Sequence, residues 1–426
     1  MRQQHVLVLA YYFPPMGLSG VQRVTKFVKY LADAGWNVHV VTTGPTAYYA
    51  FDPTLLEDFE GRSITVHRTV GTDPNSRLAA KGKSLIKMPK EFLRKLASKV
   101  SNFFYVPDNK KGWVKPAIEL ARQVITDHPI DVMFVSGPPF STFLAAEQLA
   151  HETGLPFVVD YRDLWYGNQF TSYPTPWHGH RNKRLEHSVL THAGRITVTN
   201  RRMKETLIAD YPQLAFDDVV IIPQGFDPDD YGYASDDRRA FRLTYTGIFY
   251  DVITPKYFFK AVRRFLKQHP DAPLELHFAG ILREANGKRA KKMGLDKYII
   301  DHGYLPHRES VALLERSSVL WMMVGNTKNA HTISSAKLYE YFGARKPILA
   351  SLPQGALRHD AERYGASIVT DPTDVAAIAD GIAQYYERWK AGTLPRPSPG
   401  VVEQYDRSLL AHDLAKVLSQ AMLVSP

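Results

Sequence analysis

Residues 334–350 read SSAKLYEYFGARKPILA, and the fold and the chemistry of the chain can both be approached from this stretch. Ser334 or Ser335 can cap a helix, leaving its first N–H groups to face an anion. Lys337 puts a full positive charge into the first turn. Glu340 follows one turn later, within reach of a ribose or sugar hydroxyl. The helical pattern then gives way to a short apolar strand, Pro347–Ser351, and a helix feeding a buried strand is half of a βαβ unit. Phosphate site, cation and hydroxyl acceptor in one turn point to a nucleotide sugar.

Working outward, short apolar runs alternate with helical patterns along the whole chain, the signature of parallel βαβ units. The first half offers strands at His5–Tyr11, Asn37–Thr43, Ile64–Arg68, Asp131–Ser136, Phe157–Asp160, Arg195–Thr199 and Val219–Pro223. Several are apolar throughout, as strands buried on both faces should be. The rhythm breaks at the acidic, turn-rich segment Asp227–Arg239. A second series follows at Arg242–Thr246, Leu274–Ala279, Tyr298–His302, Val319–Val324, Pro347–Ser351 and Ser367–Thr370, with helices such as Pro255–Gln268 and Ser310–Glu315 between them. The expected organisation is a first Rossmann-like domain over residues 1–228, a linker at 229–241 and a second Rossmann-like domain at 242–400. A terminal helix, 401–426, is expected to pack back on the first domain. The fold class is α/β, two doubly wound domains facing across a cleft, with ligands at the carboxyl ends of the strands.

Composition narrows the function. A chain of 426 residues exceeds one ordinary core, and 44% hydrophobic with 23% charged residues is a globular balance. The net charge of +10 favours anionic partners: nucleotide diphosphates, anionic headgroups or nucleic acid. No arginine-rich run or zinc spacing supports nucleic acid. The absence of cysteine excludes disulfides and thiol catalysis and fits a reducing compartment. No run is long enough to span a membrane, and the N-terminal apolar run is too short for a signal peptide, so a cytoplasmic location is expected.

The motifs fall just after strands. In FPPMGLSGVQR, Gly17 and Gly20 let the backbone approach a ligand and Arg23 opens the next helix. The pattern is not G-x-G-x-x-G, which argues against a nicotinamide enzyme. SGPPFS brings Ser136 and Gly137 to another strand end, and VVDYRDLW places Asp160, Arg162 and Asp163 at a third, a charge cluster of the kind that serves ligands at a crevice. His302 and His307 read as hydrogen-bonding turn residues, with no carboxylate partner evident from spacing. His178, His180 and His187 read as a solvated loop and helix face. From Pro89 to Phe104, apolar Phe92, Leu93, Leu96, Val100, Phe103 and Phe104 recur at helical spacing opposite Lys90, Arg94, Lys95 and Lys99. Such a basic amphipathic helix can lie in an anionic membrane surface, or pack its apolar stripe on the core.

FPPMGLSGVQR, SGPPFS, DYRDLW, LTYTGIFY, GYLPHRE and SSAKLYEYFGARKPILA, in this order, resemble bacterial family-4 glycosyltransferases of the GT-B fold, above all those of surface-polysaccharide and lipopolysaccharide assembly. The resemblance runs from Val6 to about Leu418. It implies a retaining hexosyltransferase-type enzyme that moves a sugar from a UDP- or GDP-sugar to an acceptor hydroxyl, generally without an essential metal or other cofactor. The implied acceptor is a saccharide or a polyprenyl-linked sugar at the inner face of the cell membrane. By the same resemblance Lys337, the backbone of Ser335 to Leu338, and Thr246–Gly247 hold the donor diphosphate, and Glu340 its ribose. Gly17 and Gly20 join the donor side, while Arg23, Ser136, Gly137 and Asp160 are assigned to the acceptor side. Arg162 and Asp163 occupy the place of a His–Asp or His–Glu pair near the transferred sugar, and with Lys337 they are the expected catalytic residues. The family's second glutamate, eight positions before Glu340, is Thr332 here. Its usual Arg and Lys after the Thr-Gly strand are Ile248 and, loosely, Lys256, with Arg283 as a substitute. Gln224 stands where relatives show Asn. Two rival functions follow from these departures: a non-catalytic nucleotide-sugar-binding protein, suggested by Thr332, and a nucleotide-sugar 2-epimerase, which needs acid/base carboxylates.

Overall fold

A computed structural model of the protein describes residues 3–70, 79, 85, 100–168, 171–235, 239–250, 253–398 and 400–423. The chain forms two compact units, residues 1–223 with 407–426, and residues 224–406.

The first unit is built on a parallel sheet of seven strands: β1 (His5–Leu9), β2 (Asn37–Thr43), β3 (Ile64–Thr69), β4 (Val132–Gly137), β5 (Phe157–Tyr161), β6 (Arg195–Val198) and β7 (Val219–Ile221). Their order is β3-β2-β1-β4-β5-β6-β7, the doubly wound arrangement with its switch between β1 and β4. Period-two alternation divides β1 between two cores. Leu7 and Leu9 face one with Met133 and Val135, and Val6 and Val8 face the other with Val38, Val40 and Phe134. The second of these cores is closed by α1 (Ser19–Asp33) and by the last helix of the chain, Arg407–Leu423, which buries Leu410, Leu414, Leu418 and Ala421 there. Truncating such a fully buried leucine to alanine costs about 2–5 kcal/mol. The other face carries α2 (Lys111–Asp127), α3 (Ser141–Thr153), α4 (Pro176–His192) and α5 (Arg201–Asp210), the last capped by Asn200, whose Oδ1 accepts from Met203 N at 3.0 Å.

The second unit repeats the plan with six parallel strands: β8 (Phe241–Ile248), β9 (Leu274–Ile281), β10 (Ile299–Gly303), β11 (Val319–Met323), β12 (Ile348–Ser351) and β13 (Ser367–Thr370), in the order β10-β9-β8-β11-β12-β13. Along β11, Val319, Trp321 and Met323 enter the core beneath α6 (Lys256–Gln268), while Leu320 and Met322 enter the opposite one. The remaining helices are α7 (Glu284–Lys292), α8 (His307–Glu315), α9 (Ala336–Ala344), α10 (Ala356–Arg363) and α11 (Val375–Lys390), and the C-terminal helix of the first unit is α12.

Every strand read from the sequence is present, with ends that differ by at most two residues. α8 starts at His307, earlier than the expected Ser310. The acidic segment after Asp227 is anchored rather than free. Residues Pro228–Asp230 form a 3-10 turn, Asp230 Oδ2 lies 2.8 Å from His307 Nε2, and Gly232 N donates to Glu315 Oε1 at 2.6 Å. His307 therefore has a carboxylate partner, one supplied from 77 residues away and invisible to local spacing. Of Pro89–Phe104, residues 89–99 lie outside the described residues. The end that is described, Val100 to Phe104, is helical and leaves Val100, Phe103 and Phe104 exposed. Among the described residues no helix is long and apolar enough to cross a membrane.

Candidate functional site

In the second unit the site begins where two neighbouring strands part. β8 pairs with β11 only at Leu243 and Thr244, whereas its pairing with β9 continues to Ile248. Thr246, two residues beyond the last β11 partner, turns its backbone to the same side and finds no strand there. Side chains of α9 take the strand's place. Tyr341 Oη accepts from Thr246 N at 3.1 Å and donates to Trp321 O on β11 at 3.1 Å, while Lys337 Nζ donates to the Thr246 carbonyl. Lys337 also stands 4.1 Å above the Tyr245 ring, a cation–π contact. Burial pushes the Lys337 ammonium down to about 8, against the pull of the nearby Glu340 carboxylate.

Two glycines make this approach sterically available. Gly247 and Gly280 are register partners on β8 and β9, with φ of 126° and 125°. A Cβ on Gly247 would occupy the space of Lys337 Nζ, and one on Gly280 would strike the Gly247 carbonyl. Only glycine fits both the dihedrals and the space.

α9 opens without a side-chain cap. Ser335 is extended at φ −115° and makes no capping bond, so the capping role expected of it is absent. Leu338 N already donates to Ser335 O at 3.1 Å, which removes it from the donors the sequence suggested. The N–H groups of Ala336 and Lys337 have no acceptor among the described residues, so they and the Lys337 ammonium lie together at the start of α9. Glu340 is half-buried, and its carbonyl takes a 2.7 Å hydrogen bond from Tyr231. Thr332 is buried in the turn Ala330–Thr332, its hydroxyl donating to Asn329 O at 3.0 Å. Arg283 follows β9 at φ 62° and starts α7. Lys256 begins α6, its Nζ 5.0 Å from the Tyr257 ring, and Ile248 ends β8.

In the first unit the charge cluster at the end of β5 separates into three different jobs. Asp160, fully buried, accepts from Arg23 Nε at 3.0 Å, Arg23 Nη2 at 2.8 Å, Ser136 Oγ at 2.7 Å and Thr197 Oγ1 at 2.8 Å. Burial alone would raise its pKa, but the Arg23 charge and these bonds hold it below the ordinary value. Arg23 also donates to Ile222 O and Pro223 O, at 2.8 and 2.7 Å. Arg23, Ser136 and Asp160 are thus a buried lock across β4, β5, β6 and the end of β7. They hold the strand ends in place, bonded to one another and to the carbonyls after β7.

Arg162 is tied to backbone. Its guanidinium donates to the carbonyls of Gly20 and Pro138 and, at 3.3 Å, to Gly137. It stitches the first turn of α1 to the loop after β4. Gly137 is required there, since a Cβ would come within 2.8 Å of the Phe143 ring. In the first loop Gly17 N donates to Ala50 O at 2.9 Å, and the left-handed residue is Leu18, φ 72°, not either glycine. Positive φ with the extended ψ of 162° found here is nearly confined to glycine and costs other residues about 1–3 kcal/mol.

Asp163 is the member of the cluster aimed at open space. Half-buried, it lines a cavity of about 250 Å³ with Tyr12, Asp108, Lys110 and Trp165 among its walls. Burial raises its carboxyl above the usual range, opposed by the Arg162 charge. Asp108, a residue the sequence did not single out, is engaged elsewhere: it caps α3 through Ser141 N at 2.9 Å and Ser141 Oγ at 2.8 Å. His178 is buried rather than solvated, held by Thr175 Oγ1 at 2.8 Å and Phe103 O at 3.0 Å, while His180 and His187 are exposed. His302 shares a 2.9 Å bond with His277.

Residues 20–225 match the family model of the glycosyl transferase 4-like domain. A search of curated proteins finds no match. Solved structures share the fold over the whole length. Sucrose-phosphate synthase from Thermosynechococcus elongatus is 13% identical, with 98% of this chain and 99% of that one covered and a TM-score of 0.64. The Anabaena protein HepE, solved with UDP and glucose, is 15% identical over 97% and 99%, TM-score 0.62. A Listeria monocytogenes protein described provisionally as a UDP-N-acetylglucosamine 2-epimerase is 13% identical over 97% and 95%, TM-score 0.58. The match to the glycosyl transferase 4-like model and the likeness to these structures accompany a GT-B architecture: two Rossmann-like domains with parallel sheets of seven and six strands.

Proposed function

We propose that the protein is a retaining glycosyltransferase that moves a sugar from a UDP- or GDP-sugar to the hydroxyl of a saccharide or polyprenyl-linked acceptor. The observation that carries this reading is the end of α9. An ammonium held against β8 by Thr246 O and two unpartnered N–H groups supply fixed positive charge in one place. In the reaction the bond from C1 to the β-phosphate oxygen breaks and its electron pair leaves on the diphosphate. The acceptor oxygen bonds to C1 on the same face, and its proton passes to the departing phosphate. Negative charge grows on the diphosphate as the bond breaks, so Lys337 and the helix end bind the transition state more strongly than the ground state. Glu340 is assigned to the donor ribose. The first unit is assigned to the acceptor, with Asp163 receiving a hydroxyl at the cavity wall.

The lipid side of the acceptor is supported by the exposed Val100, Phe103 and Phe104 beside a basic segment in the sequence, and the biological context we assign is surface-polysaccharide assembly at the inner membrane face. A second reading, nucleotide-sugar epimerisation, draws support from the Listeria neighbour and from the raised carboxyl of Asp163. Melting of the protein against a panel of nucleotide sugars, followed by product analysis with and without an acceptor in anionic liposomes, separates the readings. The transferase needs the acceptor for turnover, and the epimerase converts donor alone. Lys337→Ala and Glu340→Ala should each lose donor-induced stabilisation. If both bind and turn over donor like the parent, the site is misassigned.

A further inference from the structure

Three histidines of the first unit come together from elements far apart in sequence. His39 lies on β2, His67 on β3, and His128 directly follows α2. His67 is the register partner of Val41, two residues beyond His39, so both imidazoles project from the same face of the sheet. One ring nitrogen from each of the three lies within 4.8 Å of the other two. His39 Nδ1 and His67 Nε2 are 3.4 Å apart, and the His39 and His128 ring centroids are 4.2 Å apart. Two imidazole nitrogens on a tetrahedral zinc, each about 2.0–2.1 Å from the metal, stand about 3.3 Å from each other. His39 is buried and the other two are half-buried, so the group is walled on one side and reachable from the other.

We propose that His39, His67 and His128 bind a divalent transition metal, zinc foremost, through three imidazoles, with the fourth position open to water. Asp127 contributes negative charge beside His67, and the His5 ring stacks on His39 at 5.7 Å, bracing it. With no thiolate in the chain, an all-imidazole set favours zinc, copper or nickel over softer-ligand chemistry. The ligands sit in the strands and at the entry to β4, not among the carboxyl-end residues assigned to sugar transfer. The metal clamps β2, β3 and the α2–β4 connection together. The second histidine group of the unit, Glu147, His151 and His192, is more exposed. Glu147 Oε1 is already committed to Ser188 at 2.5 Å and His192 at 3.0 Å. It provides a control.

The test is titration of the metal-stripped full chain with Zn²⁺ by calorimetry, and with Co²⁺ by visible absorption. One equivalent should bind, with the intense bands of four-coordinate cobalt. His67→Asn and His128→Asn, checked for native melting without metal, should weaken binding by about 100-fold or more. His151→Ala with His192→Ala should leave it unchanged. Absence of stoichiometric binding in the parent protein overturns the proposal. So does full affinity in folded His67→Asn and His128→Asn, or loss of binding in the His151/His192 variant. The cobalt spectrum of the parent protein requires no variant to fold, and six-coordinate, weak bands there would also overturn it.

Discussion

Lys337→Met separates what the lysine does for a bound diphosphate from what it costs the empty protein. In the donor-free protein the ammonium is pressed between Thr246 O and the Tyr245 ring, and burial brings it from an ordinary 10.5 to about 8. The sign follows from the protons bound. Between pH 8 and 10.5 the unfolded chain still holds the lysine proton and the folded one has released it, so stability rises with pH through this window. Integrating a single site with these two values between pH 7 and pH 9.5 gives a gain of about 2 kcal/mol. For a domain of this size that is a shift of roughly 4–8 °C in melting temperature. Other groups titrate over the same range, so the quantity to measure is a double difference: the change in donor-free melting between the two pH values, parent minus Lys337→Met. It should be positive and of that size. Lys337→Arg, whose charge does not titrate there, should behave like Met in this assay yet keep more donor affinity. Turnover in Lys337→Met should fall about 100- to 1000-fold, as for the loss of one preorganised donor to a developing oxyanion. A double difference of zero would mean that Lys337 is an ordinary solvated lysine in the free protein. The cramped geometry at β8 would then have no energetic content.

Two further outcomes concern the first unit. Asp160→Asn leaves the Arg23 guanidinium buried without its counter-charge, and should destabilise the unit by about 3–5 kcal/mol in urea unfolding; a change below 1 kcal/mol would show the lock to be dispensable. Glu186 is fully buried, with Tyr211 Oη at 2.6 Å and Tyr166 N at 2.9 Å, and burial raises it from 4.5 to about 7. Its folded pKa lies above the unfolded one, so the stability it supports is complete below pH 4.5 and falls by about 3 kcal/mol as pH rises to 7 and beyond. Glu186→Gln, which keeps the shape of the protonated acid, should flatten that slope in melts between pH 5 and 8. An unchanged slope would place the titration elsewhere.

The strands are legible in the sequence because parallel strands buried on both faces must be apolar nearly throughout. Val132–Val135 and Val319–Met323 have no polar side to confuse the reading. What the strands end on is less legible. Asp160, Arg162 and Asp163 are neighbours in sequence, yet their partners are Arg23, the carbonyls of Gly20 and Pro138, and an open cavity. Local pattern records the residue types but not pairings across 137 or 142 residues. The glycine loop misleads for a related reason. Gly17 and Gly20 advertise backbone freedom, and the chain spends its left-handed conformation on Leu18 between them. Histidines are read worst, since His178 and His307 each take a partner distant in sequence.

The stretch from Ser334 to Ala350 carries more than a cation and a carboxylate. Lys337 and Tyr341 are four residues apart, hence on one face of α9, and between them they satisfy both backbone groups of a single residue, Thr246. Those groups are open because β11 stops pairing with β8 at Thr244, which is the topological switch of the second sheet. A parallel sheet whose strand order reverses must leave backbone donors and acceptors unmatched beyond the last common rung, and unmatched groups need partners. Tyr341 meets this need permanently, because its hydroxyl is also held by Trp321 O. Lys337 meets it with one of three N–H donors, leaving the others and its charge for an anion. The same strand divergence that opens the sheet at its switch point therefore fixes Lys337 there, beside the crevice we propose for the donor, and the helix spacing of four links the lysine to Tyr341.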